Sequence, residues 1–181
     1  MTDPQTLIER WLHDCVLALE LCPFAAPVVR DQSLRIAVCE AVEPEQQLQH
    51  FLLELDRLQS SEETDISTTL LAFAKGPEDF EDFLDLVEQA QVLLAQAQLK
   101  GLVQLAHFHP QYQFANEPEG DPSHYTNRSP LPVIHLLRES MMSRAIEAYP
   151  DPQAIPGRNI ARLRALGIEE IERRWRAILT D

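Results

Sequence analysis

The run Thr68–Phe73, TTLLAF, constrains the fold more than any other stretch of the chain. Its last four residues are apolar whichever way they point, so it reads as a central strand buried on both faces. Leu34–Cys39 differs. There Leu34, Ile36 and Val38 alternate with Arg35, Ala37 and Cys39, the pattern of a half-buried edge strand. A third strand, Leu102–Phe108, restarts the chain after Gly101. Helical periodicity fills the intervals. Pro44 opens a helix to about Leu58 on Leu48, Phe51, Leu52 and Leu55. Gly76-Pro77 breaks the chain before another, which runs to about Gln98 on Phe80, Phe83, Leu84, Val87 and Leu94. Glu78-Asp79 suit the positive end of that second helix. Connections of this length favour parallel or mixed pairing with right-handed crossovers.

Three strands cannot cover all of that helical surface, so helices from both ends of the chain must complete the layers. Residues 4–21 read as one helix, with Ile8, Leu12, Cys15, Leu19 and Cys22 in a stripe, Asp3 as N-cap and Pro23 as the stop. Val28-Val29 reads as a short extended piece. Three more helices span 130–148, capped by Ser129, then 156–166, ending at Gly167, and 168–179, with Ile168, Ile171, Trp175 and Ile178 inward. The expectation is an α/β or α+β fold in one domain over residues 1–181, with a three-stranded β-α-β-α-β core, an N-terminal helix and three C-terminal helices.

The formal charge of −14 argues against a nucleic-acid partner or an anionic membrane surface, both of which need a basic footprint. Residues 128–181 nevertheless carry nine Arg against seven acidic residues, and the only lysines are Lys75 and Lys100. Three cysteines (Cys15, Cys22, Cys39) without metal-type spacing indicate no disulfide framework. The N-terminus has no basic segment followed by an apolar run, and no stretch of about 18 apolar residues exists. The expectation is a soluble, acidic, cytoplasmic protein.

Chemistry concentrates in His107–Glu139. After Pro110, about twenty residues run without periodicity, and loops of that length inside a compact domain are usually functional or disordered. Tyr112, Phe114 and Tyr125 are large enough to anchor this one. His107 and His109, two apart on a strand, share one side and can converge on a ligand. A metal there would also need His124, His135 or a carboxylate from Glu117 to Asp121. The alternative is one histidine packed in the sheet and the other bonded to loop carbonyls. Tyr125–Pro130 (YTNRSP) offers Arg128 as a fork, the amide of Asn127 and the positive end of a helix. Together they suit a carboxylate or phosphate beside His109, although Pro130 and Pro132 remove two backbone donors. Alternatively, Arg128 staples the loop to acidic neighbours such as Asp121. Cys-Pro-Phe makes Cys22 a candidate nucleophile. A helix C-terminus disfavours its thiolate, however, and the stripe with Cys15 favours a core role unless the fold brings an Arg or His close. His135 and Arg138, on the helix after the loop, and Arg158-Asn159, after Pro156-Gly157, are further candidate anchors.

Taken in order, these motifs resemble domain-of-unknown-function family 1415, a bacterial family of small single-domain proteins. The likeness rests on Leu21-Cys22-Pro23-Phe24-Ala25 and on Phe108-His109-Pro110 with Tyr112-Gln113-Phe114-Ala115. It continues through Tyr125-Thr126-Asn127-Arg128-Ser129-Pro130, His135-Leu136-Leu137-Arg138-Glu139 and Arg158-Asn159-Ile160, covering about residues 7–166. The resemblance implies that Cys22, His109, Asn127, Arg128, His135 and Arg138 belong to the family pattern. It leaves His107 and His124 outside that pattern and implies no particular activity or cofactor. A motif centred on Cys22 adds weight to a thiol facing the pocket of His109, but the physical objection to its reactivity still ranks above it.

The first functional expectation is an enzyme or binding protein for an anionic small molecule, a phosphate or carboxylate held at the 107–139 loop. Asn127 and Arg128 hold the anion, His109 acts as general acid or base, and Tyr112 or His135 orients it. Cys22, Arg138, Arg158 and Asn159 complete the candidate site. The second expectation is a non-enzymatic interaction module, with the loop aromatics as anchors for a partner or as a structural plug. The third is a metal site at His107, His109 and His124.

Overall fold

Four short apolar runs, each six residues long, assemble one mixed sheet. The computed structural model describes residues 2–180. Its strands are β1 (Leu34–Cys39), β2 (Thr68–Phe73), β3 (Val103–Phe108) and β4 (Val133–Arg138), in spatial order β1-β2-β4-β3. β1 and β2 pair in parallel, and β4 runs antiparallel to both β2 and β3. Every residue of β2 is buried, and β1 lies at an edge, as their patterns require.

β4 corrects the expected three-strand core and the expected helix over 130–148. Pro132 pushes Leu131 out of the α region, and the β-branched pair Val133-Ile134 favours a pleated backbone. The run then buries residues on both faces, Val133, Ile134 and Leu136 being inaccessible to solvent. Ser129 caps no helix, because its hydroxyl donates to the carbonyl of Leu131. The helix starts only at Glu139, after Arg138 at the cap position.

The α-helices are α1 (Pro4–Trp11), α2 (Ala25–Arg30), α3 (Pro44–Ser60), α4 (Phe80–Gln96), α5 (Glu139–Ala148), α6 (Ile155–Leu166) and α7 (Ile168–Leu179). Asp3 caps α1 through the N–H of Thr6, and Asp79 caps α4 through those of Glu81 and Asp82. The single helix expected over 4–21 is corrected. It widens to a π turn at Leu12–Leu17, with N–H to carbonyl bonds from Ala18 to His13 and from Leu21 to Val16. Glu20 then adopts a left-handed conformation, φ 48°, and Cys22 lies outside any helix. Val28 and Val29 are helical, within α2, rather than extended. No helix among the described residues is long and apolar enough to cross a membrane.

Helices α3 and α4 cover one sheet face, where Phe51, Leu55, Phe83 and Val87 pack against Leu71, Phe73, Ile134 and Leu136. On the other face Ile8, Trp11 and Cys15, with Ile178 of α7, pack against Leu70, Ala72 and Val133. A third cluster joins Leu19 and Leu21 to Leu163 of α6 and Ile171 of α7. Two arginines tie the layers. Arg35 of β1 holds Glu54 of α3 with bonds of 2.6 and 3.0 Å. Arg138, at the end of β4, donates to the carbonyls of Leu58, Ser61 and Ile66, pinning the connection between α3 and β2.

The alternation in β4 is directly testable. Ile134→Ala removes a fully buried side chain and should cost about 2–5 kcal/mol. Leu137→Ala alters a half-buried position on the opposite face and should cost clearly less. Denaturant midpoints at unchanged m-value read the difference.

Candidate functional site

Strand side chains alternate between faces, so Val133, His135 and Leu137 of β4 point away from α3 and α4. In register, His135 lies between Leu70 of β2 and Ala106 of β3. A cavity of about 250 Å³ opens over this patch of sheet. Its remaining walls come from the π turn, Cys22, Phe24 and Val28 around α2, Thr126-Asn127 at the end of the long loop, and Met141-Met142 of α5. The lining is mainly aliphatic and aromatic, and His135, Thr68, Cys22, Thr126 and Asn127 supply its polar groups.

The hydrogen bonds of His135 define its state. Its Nε2 lies 2.6 Å from Thr68 Oγ1, and that hydroxyl donates its one proton to the carbonyl of Leu136 at 2.7 Å. Thr68 must therefore accept from Nε2–H, which leaves the lone pair on Nδ1. Among the described residues no hydrogen bond reaches Nδ1. Burial pushes the imidazole pKa down to about 4, so the ring is neutral at pH 7. It offers an acceptor to the cavity wall rather than a proton.

Cys22 stands on the rim between this cavity and a second one. The expected objection to its reactivity, a place at a helix C-terminus, does not hold, because no helix ends there. The backbone N–H groups of Phe24 and Ala25 bear on the sulfur and lower the thiol pKa. Burial outweighs them and raises it, so the group is a thiol. The second cavity, about 330 Å³, is lined by Glu20, Tyr149, Arg158, Asn159 and Arg162 as well as Cys22. Arg158 donates to the Tyr149 hydroxyl at 2.9 Å, with its guanidinium 5.4 Å from the centre of that ring. Asn159 is buried, and its Nδ2 donates to the carbonyl of Leu21 at 2.6 Å, which fixes the turn carrying Cys22.

The other expected site residues lie elsewhere. His109 is fully buried on the α4 face, stacked on Phe83 with ring centres 5.1 Å apart. Its Nδ1 accepts from the N–H of Gln111 at 3.1 Å, and its Nε2 lies 3.2 Å from the carbonyl of Pro77. Both ring nitrogens are spent on backbone, and burial lowers the pKa. No nitrogen remains to move a substrate proton. Tyr112 belongs to the same aromatic group, 5.0 Å from Phe80 and 5.1 Å from Phe114. Arg128 donates from Nε to the carbonyl of Tyr112 at 3.1 Å and stands 4.7 Å over the ring of Tyr125. It staples the loop, but not through Asp121, which pairs with Arg164 at 3.0 Å.

The expected cluster of His109, Asn127 and Arg128 is therefore not assembled. Asn127 alone of the three lines the cavity, while its carbonyl accepts from His109 N at 3.1 Å behind it. Arg138 is likewise committed to the three carbonyls described above. His124 accepts from the N–H of Phe114 and lies 2.8 Å from the carbonyl of Pro118, so it organises the loop. Among the described residues no three His, Cys, Asp or Glu side chains are grouped to hold a metal ion. Sequence reasoning missed Thr68, Thr126, Met141 and Met142. Only the placement of His135 on a strand opposite β2 brings Thr68 into view.

The family model described as Protein of unknown function (DUF1415) matches residues 4–173. The chain belongs to that family. The DUF1415 match extends beyond the motif-bearing stretch at both ends, from the start of α1 into α7, and includes every wall of both cavities. No curated protein and no solved structure matches the chain.

The state of His135 has a consequence for stability. Its pKa falls from an ordinary 6.5 to about 4 on folding, so between those values the unfolded chain binds a proton that the fold excludes. The stabilisation is complete above pH 6.5 and is lost as the pH falls toward 4. Denaturant midpoints should drop through this window, and less steeply in His135→Gln. The comparison between the two proteins cancels carboxylates, His107 and His109, which titrate in both. Equal slopes would mean that the His135 ring is solvated.

Proposed function

We propose that the protein binds a small organic molecule in the His135 cavity, its body against the apolar walls and a polar group among His135, Thr126, Asn127 and Cys22. The observation that carries this reading is the convergence of a few polar groups on an otherwise apolar hollow, the usual make-up of a ligand site. The oxygen of Thr126 adds to it, being buried without a hydrogen-bond partner. Such a group costs about 1–3 kcal/mol unless something bonds to it. His135 Nδ1 is a second open acceptor. Both suit a ligand with a hydroxyl, amide or amine near its polar end. The protonated thiol of Cys22 and the neutral imidazole favour binding and positioning over nucleophilic attack.

This moves the ligand expected at the 107–139 loop to that segment's C-terminal part, from Thr126 to His135. The loop aromatics speak against a partner-binding role, since Tyr112, Phe114 and Tyr125 are engaged inside the fold with Phe80, His124 and Trp175.

An unfilled apolar hollow is also unfavourable, by roughly 24 cal/mol for each Å³ in a closed core. Ala106 sits on the floor of this one, where a larger side chain would fill it. In a thermal-shift assay with 1-octanol as probe, saturation should raise Tm by several degrees. Ala106→Leu should hold or raise the Tm of the free protein and abolish the shift, with Ala106→Val intermediate. A shift of equal size in all three proteins, or none in the wild type, would refute the proposal.

A further inference from the structure

Resting on that reading, we infer that the ligand is an amphipathic anion. Its apolar body occupies the His135 cavity, and its carboxylate or phosphate-monoester head reaches Arg158 in the adjoining cavity. The two cavities are close neighbours of opposite chemistry. Cys22 is in the wall of both. Phe24, in the wall of the first, meets Tyr149, in the wall of the second, edge to face with ring centres 5.7 Å apart. The Tyr149 hydroxyl in turn accepts from Arg158. One continuous set of contacts thus runs from the apolar wall to the guanidinium.

The charge pattern singles out Arg158. The carboxylate in the second cavity, Glu20, pairs with Arg162 at 2.7 Å. Elsewhere Arg30, Arg35, Arg57, Arg144, Arg164, Arg173, Arg174 and Arg176 each meet a carboxylate. Arg10, Arg128 and Arg138 donate to backbone carbonyls. Among the described residues Arg158 alone has only a neutral side-chain hydroxyl as hydrogen-bond partner. In a chain of net charge −14, an arginine held over an aromatic ring, beside a cavity and without a carboxylate, is available as a fork for an anionic oxygen pair.

Calorimetric titration with octanoate, octyl phosphate and 1-octanol tests this in the wild type, Arg158→Gln and Ala106→Leu. Arg158 is exposed, so its replacement leaves the fold intact. At least one anionic probe should bind the wild type roughly tenfold more tightly than the alcohol, the value of one charge-assisted contact. That advantage should fade at high salt and disappear in Arg158→Gln, while 1-octanol binds both proteins alike. The tighter of the two anions distinguishes a carboxylate from a phosphate head. Ala106→Leu should weaken all three probes. Equal affinity of acid and alcohol, or an advantage that survives in Arg158→Gln, overturns the inference and leaves the cavity reading standing. Failure of every probe to bind the wild type removes both.

Discussion

Val133 to Arg138 pairs with β2 along one side and with β3 along the other, and without it β2 would have an open ladder in the middle of the sheet and β3 would have no strand to pair with. Much of the remaining architecture follows from housing this strand. Because β4 is antiparallel to its neighbours, β1, β2 and β3 all run the same way. The chain must still turn from the end of β3 into an adjacent antiparallel strand, and it does so through residues 109–132 rather than a tight hairpin. A segment of that size stays ordered only by packing on itself and its neighbours. Phe114 stacks on His124, Tyr125 meets Trp175 edge to face, and Arg164 of α6 gathers Glu117 and Asp121.

The same sheet separates two kinds of histidine. His109, fully buried, and His135, half-buried at the cavity wall, both have pKa values below the ordinary imidazole range, yet they differ in capacity. One has each ring nitrogen engaged by backbone. The other has one nitrogen fixed by a threonine and one left open at a cavity wall. A depressed pKa is common to both, so it does not identify a site. Hydrogen-bond accounting does, because an imidazole can take part in binding only through a nitrogen the fold has not already used.

Periodicity made β1, β2, β3, α3, α4, α6 and α7 legible in the sequence, to within a residue or two at most ends. β4 was not legible, and the reason is local. Ser129-Pro130 imitates a helix start, and a six-residue apolar run fits a buried strand or a buried helix equally well. That one ambiguity hid most of the site. Cys22, Asn127, His135, Arg158 and Asn159 stand out as residue types and lie around the two cavities. Their grouping depends on which face of β4 carries His135, and Thr68 has no visible role until that face is known. His109 stood out equally, and nothing in the sequence says that Gln111 and Pro77 occupy its ring.

The walls of the first cavity are not mechanically alike. The floor is sheet, and Phe108 there is braced edge to face against Trp11, with ring centres 5.1 Å apart. Met141 and Met142 stand opposite on α5, a helix with no fully buried residue. Unbranched thioethers on a loosely seated helix conform to whatever shape they meet. The sheet therefore acts as the template and α5 as the cushion. On the proposed reading, discrimination between ligands would fall to Thr68, His135 and the aromatic floor, and tolerance of differences in girth or branching to the methionines.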